Sequence, residues 1–155
     1  MPKIDIASVP ERKGSGYPAP HHLIAADRVR QRLGDAAGLT DFGVNLLRLP
    51  PGAASSQRHW HSHEDEFVYI VSGEVVLVTD AGEEILRAGD CAGFPKNAPN
   101  GHQLLNKSKS MTVCLEVGTR RKGEDVVVYS DIDLTFDPKY GGEFTHKDGS
   151  PYPKQ

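Results

Sequence analysis

Cysteine is nearly absent. Cys91 and Cys114 are the only two in 155 residues, too few for a disulfide framework, and both are expected as reduced thiols. No positively charged, apolar, small-residue leader opens the chain, and no apolar run approaches the roughly 18 residues needed to span a bilayer. The expectation is a soluble, cytoplasmic protein with no membrane partner. Concentrated positive charge is missing too. The formal net charge is -3, and the Lys and Arg of the first 32 residues are interspersed with Asp, Glu, Pro and Gly. No basic face is gathered that would displace phosphate counterions, so a nucleic-acid partner is not expected.

What is abundant is punctuation. Sixteen Gly and eleven Pro separate many short apolar runs, which fits an all-β barrel or sandwich better than a helical bundle, and the length suits one domain. Residues 1–20 hold four Pro and two Gly, too many for a long regular element. Residues 23–33, L-I-A-A-D-R-V-R-Q-R-L, are rich in Ala and Arg and predict a short helix or turn ending at Gly34. From Phe42 the pattern has period two, and short strands with turn signals between them follow as far as Tyr129. Such a run predicts a double-sheet jelly roll or small barrel with an interior cavity. The expected organisation is an N-terminal arm over 1–40, a β-barrel over 41–130 and a C-terminal tail over 131–155. Arm and tail are candidates for packing on the barrel or crossing onto a partner subunit, and a homodimer is expected.

Between Gly52 and Gly73 the chain places three histidines and three carboxylates in eight residues, H-W-H-S-H-E-D-E. In an extended strand His59 and His61 point the same way, and Glu66 can fold back toward them. Two imidazoles and a carboxylate on one wall suit a divalent metal. The spacing H-x-H, four residues, E, six residues, G resembles the first signature motif of the cupins. A stretch from Gly89 to Asn106, with Pro95 and His102, is similar to their second motif. It departs from the usual P-x-G-x-x-H in having six residues between Pro95 and His102, and Asn97 where Gly is expected. The two motifs and their link span about a third of the chain. The resemblance implies a double-stranded β-helix and one divalent transition metal (Zn, Mn, Fe, Ni or Cu) held by His59, His61, Glu66 and His102.

Other polar residues of the segment read differently. His63 alternates with His61, but counting back from the Glu66-to-Gly73 gap favours His59 and His61, leaving His63 at the cavity mouth or behind a ligand. Glu64 and Asp65 read as solvated turn residues, Trp60 as packing away from the cavity, and Gln57 as a contact behind the ligands or to substrate. His21 and His22 lack partners at metal spacing, and the two cysteines read as small apolar residues. Three classes of function stay open: a metal-dependent enzyme acting on a small oxygenated metabolite, as in sugar or sugar-phosphate isomerisation; a metal-dependent dioxygenase or decarboxylase; and a binding or sensing module without turnover. Lys or Arg pointing into the barrel would favour the first, and Arg48 is the strand candidate.

Overall fold

Wherever apolar and polar residues alternate after Phe42, the chain forms sheet. The structure, a computed structural model, describes residues 3–153. In chain order its strands are β1 (Glu11–Lys13), β2 (Val29–Arg32), β3 (Phe42–Leu49), β4 (His59–His61), β5 (Glu66–Ser72), β6 (Glu74–Thr79), β7 (Gly82–Arg87), β8 (Cys91–Phe94), β9 (Gln103–Leu105), β10 (Thr112–Thr119), β11 (Val127–Tyr129), β12 (Thr135–Phe136) and β13 (Phe144–Thr145). One wall is a six-stranded sheet ordered β1-β2-β3-β10-β5-β8. The other combines β13-β12-β11-β4 with β7-β6-β9. These two are joined where His59 and His102 form an antiparallel bridge, each N–H donating to the other's carbonyl at 3.2 and 2.9 Å. The result is the expected all-β double-stranded β-helix.

The barrel is apolar at one end. Leu47, Leu49, Val68, Ile70, Val75, Leu77, Leu86, Leu104 and Cys114 form one buried cluster. Register explains the convergence, because Cys114 lies directly across from both Leu47 and Ile70 and residues facing each other in a ladder share a face. On β5 the neighbours of opposite phase, Phe67, Tyr69 and Val71, are exposed on the outside.

Of the short helix or turn expected over residues 23–33, only the turn forms, and the second half of the segment is strand. These residues divide into a 3-10 turn at His21–Ala25 and strand β2, followed by a single helical turn at Leu33–Ala36. Ala and Arg favour helix only weakly, and pairing with β3 overrides that preference. Arg30 faces Leu47 and Arg32 faces Asn45, so the alternating arginines join the inner face. The tail likewise extends a sheet of its own chain, β12 pairing with β11 and β13 with β12.

Three motif residues prove to be backbone devices. Gly73 turns β5 into β6 at φ +81°, and a Cβ there would stand 2.8 Å from the Met111 carbonyl oxygen, so both conformation and space demand glycine. Asn97, at φ 57°, is the non-glycine residue with positive φ among the described residues. Asn tolerates this left-handed conformation better than most residues, so the loop keeps the turn for which the resembling motif uses glycine. Asn106, 1% exposed, donates from Nδ2 to the carbonyls of Leu49 and Ser110 at 2.7 and 2.8 Å and accepts at Oδ1 from the N–H and hydroxyl of Ser108. Replacing it by Ala leaves a buried carbonyl without its donor. Asn106→Ala is expected to lower the unfolding free energy by about 2–4 kcal/mol, measured by urea denaturation, and a loss below about 0.5 kcal/mol would contradict this role.

Candidate metal centre

The bridge between β4 and His102, the residue before β9, sets the centre. Directly opposed residues in an antiparallel pair carry their side chains on one face, so the imidazoles of His59 and His102 lie side by side with ring centroids 4.8 Å apart. His61, two residues on, shares that face and stands 5.0 Å from His59. Glu66 reaches in from β5 on the other wall. Its Oε2 lies 2.8 Å from Nε2 of His102, 3.3 Å from Nε2 of His61 and 3.5 Å from Nε2 of His59. Donor atoms of His59, His61 and Glu66 all lie within 4.8 Å of one another, and His102 joins them through Glu66.

The far side of two rings is pinned. Nδ1 of His59 faces the Gln57 carbonyl oxygen at 2.9 Å, and Nδ1 of His61 faces Asp125 Oδ2 at 2.6 Å. Each bond turns Nε2 toward the common centre, an arrangement that orients and strengthens imidazole ligands. His102 is instead held by stacking, with Phe94 3.6 Å away and nearly parallel, at 4°. Asp125 in turn accepts from the His63 N–H at 2.8 Å.

These contacts set the charges. Burial alone would raise the Glu66 pKa, but bonds from His102, His59 and His61 hold it well below the usual carboxylate range. Burial disfavours the charged form of His61, yet the bonds to Asp125 and Glu66 prevail and push its pKa up to about 10. For His102 burial wins, and its pKa falls.

The centre opens into a cavity of ≈ 770 Å³. Its wall carries the cations Arg28, Arg30 and Arg32, with Arg120 and Lys122 further along the chain, and also Tyr17, Tyr129 and Glu116. On Arg30, Nη2 donates to Glu116 Oε1 at 3.0 Å, while Nε lies 2.9 Å from Oε2. Arg28, 8% exposed, donates from Nε to the Gly14 carbonyl at 2.9 Å and from Nη1 to the Ser55 carbonyl. Arg48 is not in the cavity. It belongs to the outer phase of β3 and bonds Gln31 Oε1 at 2.7 Å and Glu11 at 3.3 Å. Arg28, Arg30 and Arg32 come instead from the segment expected to be a short helix or turn, and their sequence signal is the period-two pattern R-V-R-Q-R.

The remaining candidates also find places. His63 is exposed, its ring bonded to the Ser62 hydroxyl at 2.7 Å. Glu64 departs from its expected solvated position, being half-buried on the cavity wall and accepting from the Arg121 N–H at 2.6 Å. Asp65 is exposed and accepts from the Lys96 N–H. Gln57 sends its side chain to the His21 carbonyl at 2.8 Å. Trp60 lines a smaller ≈ 100 Å³ crevice with Pro95 and Ala98 of the long loop, which shares His61, Glu64, Phe94 and His102 with the main cavity. Cys114 is in the core, burial pushing its thiol up to about 12, and Cys91 is exposed. Sequence reasoning missed Asp125 altogether. It lies 64 residues from His61, and no spacing rule links the two.

A family model for the cupin domain matches residues 45–118. A crystal structure from Silicibacter pomeroyi, called a sugar phosphate isomerase from a cupin superfamily, is 47% identical, covers 98% of this chain and 97% of its own, and superposes with a TM-score of 0.90. The chain belongs to the cupin superfamily. A second relative, described as a proposed sugar phosphate isomerase from Acidithiobacillus ferrooxidans, is 32% identical over 84% of this chain and 81% of its own, with a TM-score of 0.71. The polyketide cyclase RemF of Streptomyces resistomycificus shares the fold at 18% identity, a TM-score of 0.65 and coverage of 92% and 94%. No curated protein matches this sequence. Within this cupin barrel the His, Glu and Asp cluster is one that can hold a divalent metal.

Because Asp125 and Glu66 together raise the His61 pKa against burial, removing the Asp125 charge takes away part of that support. In metal-free protein, Asp125→Asn is expected to bring the His61 titration down from about 10. Ring ¹⁵N chemical shifts followed against pH test this, and an unmoved titration would show that Glu66 alone sustains it.

Proposed function

We propose that this cupin is a metal-dependent isomerase of phosphorylated sugars. His59, His61, Glu66 and His102 hold one divalent transition metal. The observation that carries the reading is the shared cavity: a cluster of imidazoles and carboxylate suited to a metal, and a row of inward arginines suited to an anion, line the same ≈ 770 Å³, a volume in the range of small-molecule sites. The 47% identical relative called a sugar phosphate isomerase supports the same substrate class.

The donor set fits the group. Pinned Nδ1 atoms leave Nε2 of His59 and His61 free, and three nitrogens with one carboxylate leave coordination positions for substrate. When bound, the metal acts as a Lewis acid on a carbonyl or hydroxyl oxygen. The chain itself moves the proton. Glu116, on the cavity wall outside the ligand set and held by Arg30, takes a proton from the carbon bearing the hydroxyl and returns it to the neighbouring carbonyl carbon. The hydroxyl proton passes at the same time to the former carbonyl oxygen, so one C–H and one O–H bond break, one of each forms, and no oxidant is consumed. Tyr129 packs beside His59 with Tyr17 behind it, and the pair restricts water there.

The proposal includes a cytoplasmic homodimer, for which the exposed Phe67, Tyr69 and Val71 on the outer face of β5 are the supporting feature. Sedimentation at the mass of a single chain would remove the dimer from it.

The test of function begins with protein purified without a metal-affinity tag. Elemental analysis is expected to find about one equivalent of metal, lost in His59→Ala and His102→Ala with the circular dichroism of the fold retained. Metal-replete protein, incubated with aldose and ketose phosphates and followed by NMR, is expected to interconvert at least one pair, and chelation is expected to stop it. Glu116→Gln should keep its metal and lower turnover by about 10²–10⁴-fold. Failure to interconvert any phosphorylated sugar would refute the isomerase.

A further inference from the structure

The cations of the cavity are not equivalent. Arg30 is matched by Glu116. Arg32 and Arg120 converge on Asp35, Arg32 at 3.6 Å. Lys122 is exposed to water and needs no partner. Arg28 differs from all of these. It is buried, and among the described residues no carboxylate bonds it: Nε and Nη1 are spent on the neutral carbonyls of Gly14 and Ser55, and Nη2 has no acceptor among those residues. A guanidinium held out of water against its own kind, with Arg30 alternating beside it, is unfavourable until an anion arrives. Burial first and the nearby Arg30 charge second lower its pKa, and they outweigh the opposing influence of Tyr17, Glu116 and Tyr129.

The surroundings suit an oxyanion. Tyr17, Ser55 and Ser56 line the cavity with Arg28, and the Tyr17 ring lies 6.0 Å from the Arg28 guanidinium carbon. An aromatic path leads from there to the centre, since the Tyr129 ring is 5.4 Å from Tyr17 and 5.7 Å from His59. A sugar can therefore lie along Tyr129 with its reacting carbons at the histidines and its charged end at Arg28.

We infer that Arg28 is the phosphate anchor of this cavity, binding the phosphate monoester of the substrate through the unpaired Nη2 of its guanidinium. The inference rests on the isomerase reading for its substrate class, but the test separates the two. Crystals of metal-loaded, full-length protein soaked with inorganic phosphate are expected to show the anion within hydrogen-bond reach of Arg28 Nη2. Phosphate found only at the histidine cluster, or only beside Lys122, overturns the anchor. Acetate taking the same seat at the same concentration overturns its preference for phosphate. In kinetics, Arg28→Gln is expected to raise KM for the phosphorylated sugar at least about tenfold with metal content retained, and Arg28→Lys to recover part of the loss. An unchanged KM in Arg28→Gln overturns the anchor and leaves the isomerase standing. Phosphate seated at Arg28 with no sugar phosphate interconverted supports the anchor and refutes the reaction. Should Arg28→Gln fail to fold, the soak of the unaltered protein decides.

Discussion

The reciprocal backbone bonds between His59 and His102 are the contact on which the rest depends. They splice a three-stranded and a four-stranded sheet into one wall, and they set two imidazoles from distant parts of the chain side by side. A carboxylate from the facing wall then meets them only if the barrel closes. Closure is driven at the other end, where Leu47, Ile70, Leu104 and Cys114 exclude water. The centre is therefore positioned by a core it does not belong to.

Each inner strand runs from chemistry to packing along one face. β5 goes from Glu66 through Val68 to Ile70, β10 runs back from Glu116 to Cys114, and β3 passes from Asn45 to Leu47 and Leu49. Period two keeps these residues in phase, so one barrel holds a dry plug and a polar chamber without changing strands. The polar end carries a real desolvation cost, and paired groups offset it. Glu66 is surrounded by imidazoles, His61 is bonded to Asp125, and Arg30 is bonded to Glu116.

The N-terminal segment changes what the barrel contains. Without β2 the six-stranded wall would begin at β3, and the cavity would lose Arg28, Arg30 and Arg32. Its Ala and Arg content pointed to helix, and the alternation R-V-R-Q-R, which was the better guide, is too short to outweigh composition unless a partner edge is known. β3 supplies that edge. Arg48 failed as a cavity cation for the same reason: it sits on β3 one residue out of phase with Leu47 and Leu49, and a one-residue shift sends a side chain to the opposite face.

Local chemistry was legible in the order of residues. The H-x-H spacing, the carboxylate at Glu66, the glycine at Gly73 and the alternation from Phe42 onward follow from strand geometry and short turns, which act over a few residues. They carried an all-β barrel and the pairing of His59 and His61 with Glu66, while His102 and the double-stranded β-helix came from the resemblance to the cupin motifs. Only the folded chain brought in Asp125 behind His61, Glu64 at the wall, Phe94 stacked on His102 and the arginines facing inward. Those contacts join residues separated by tens of positions, and their geometry is a consequence of how two sheets close on each other, which no local periodicity encodes.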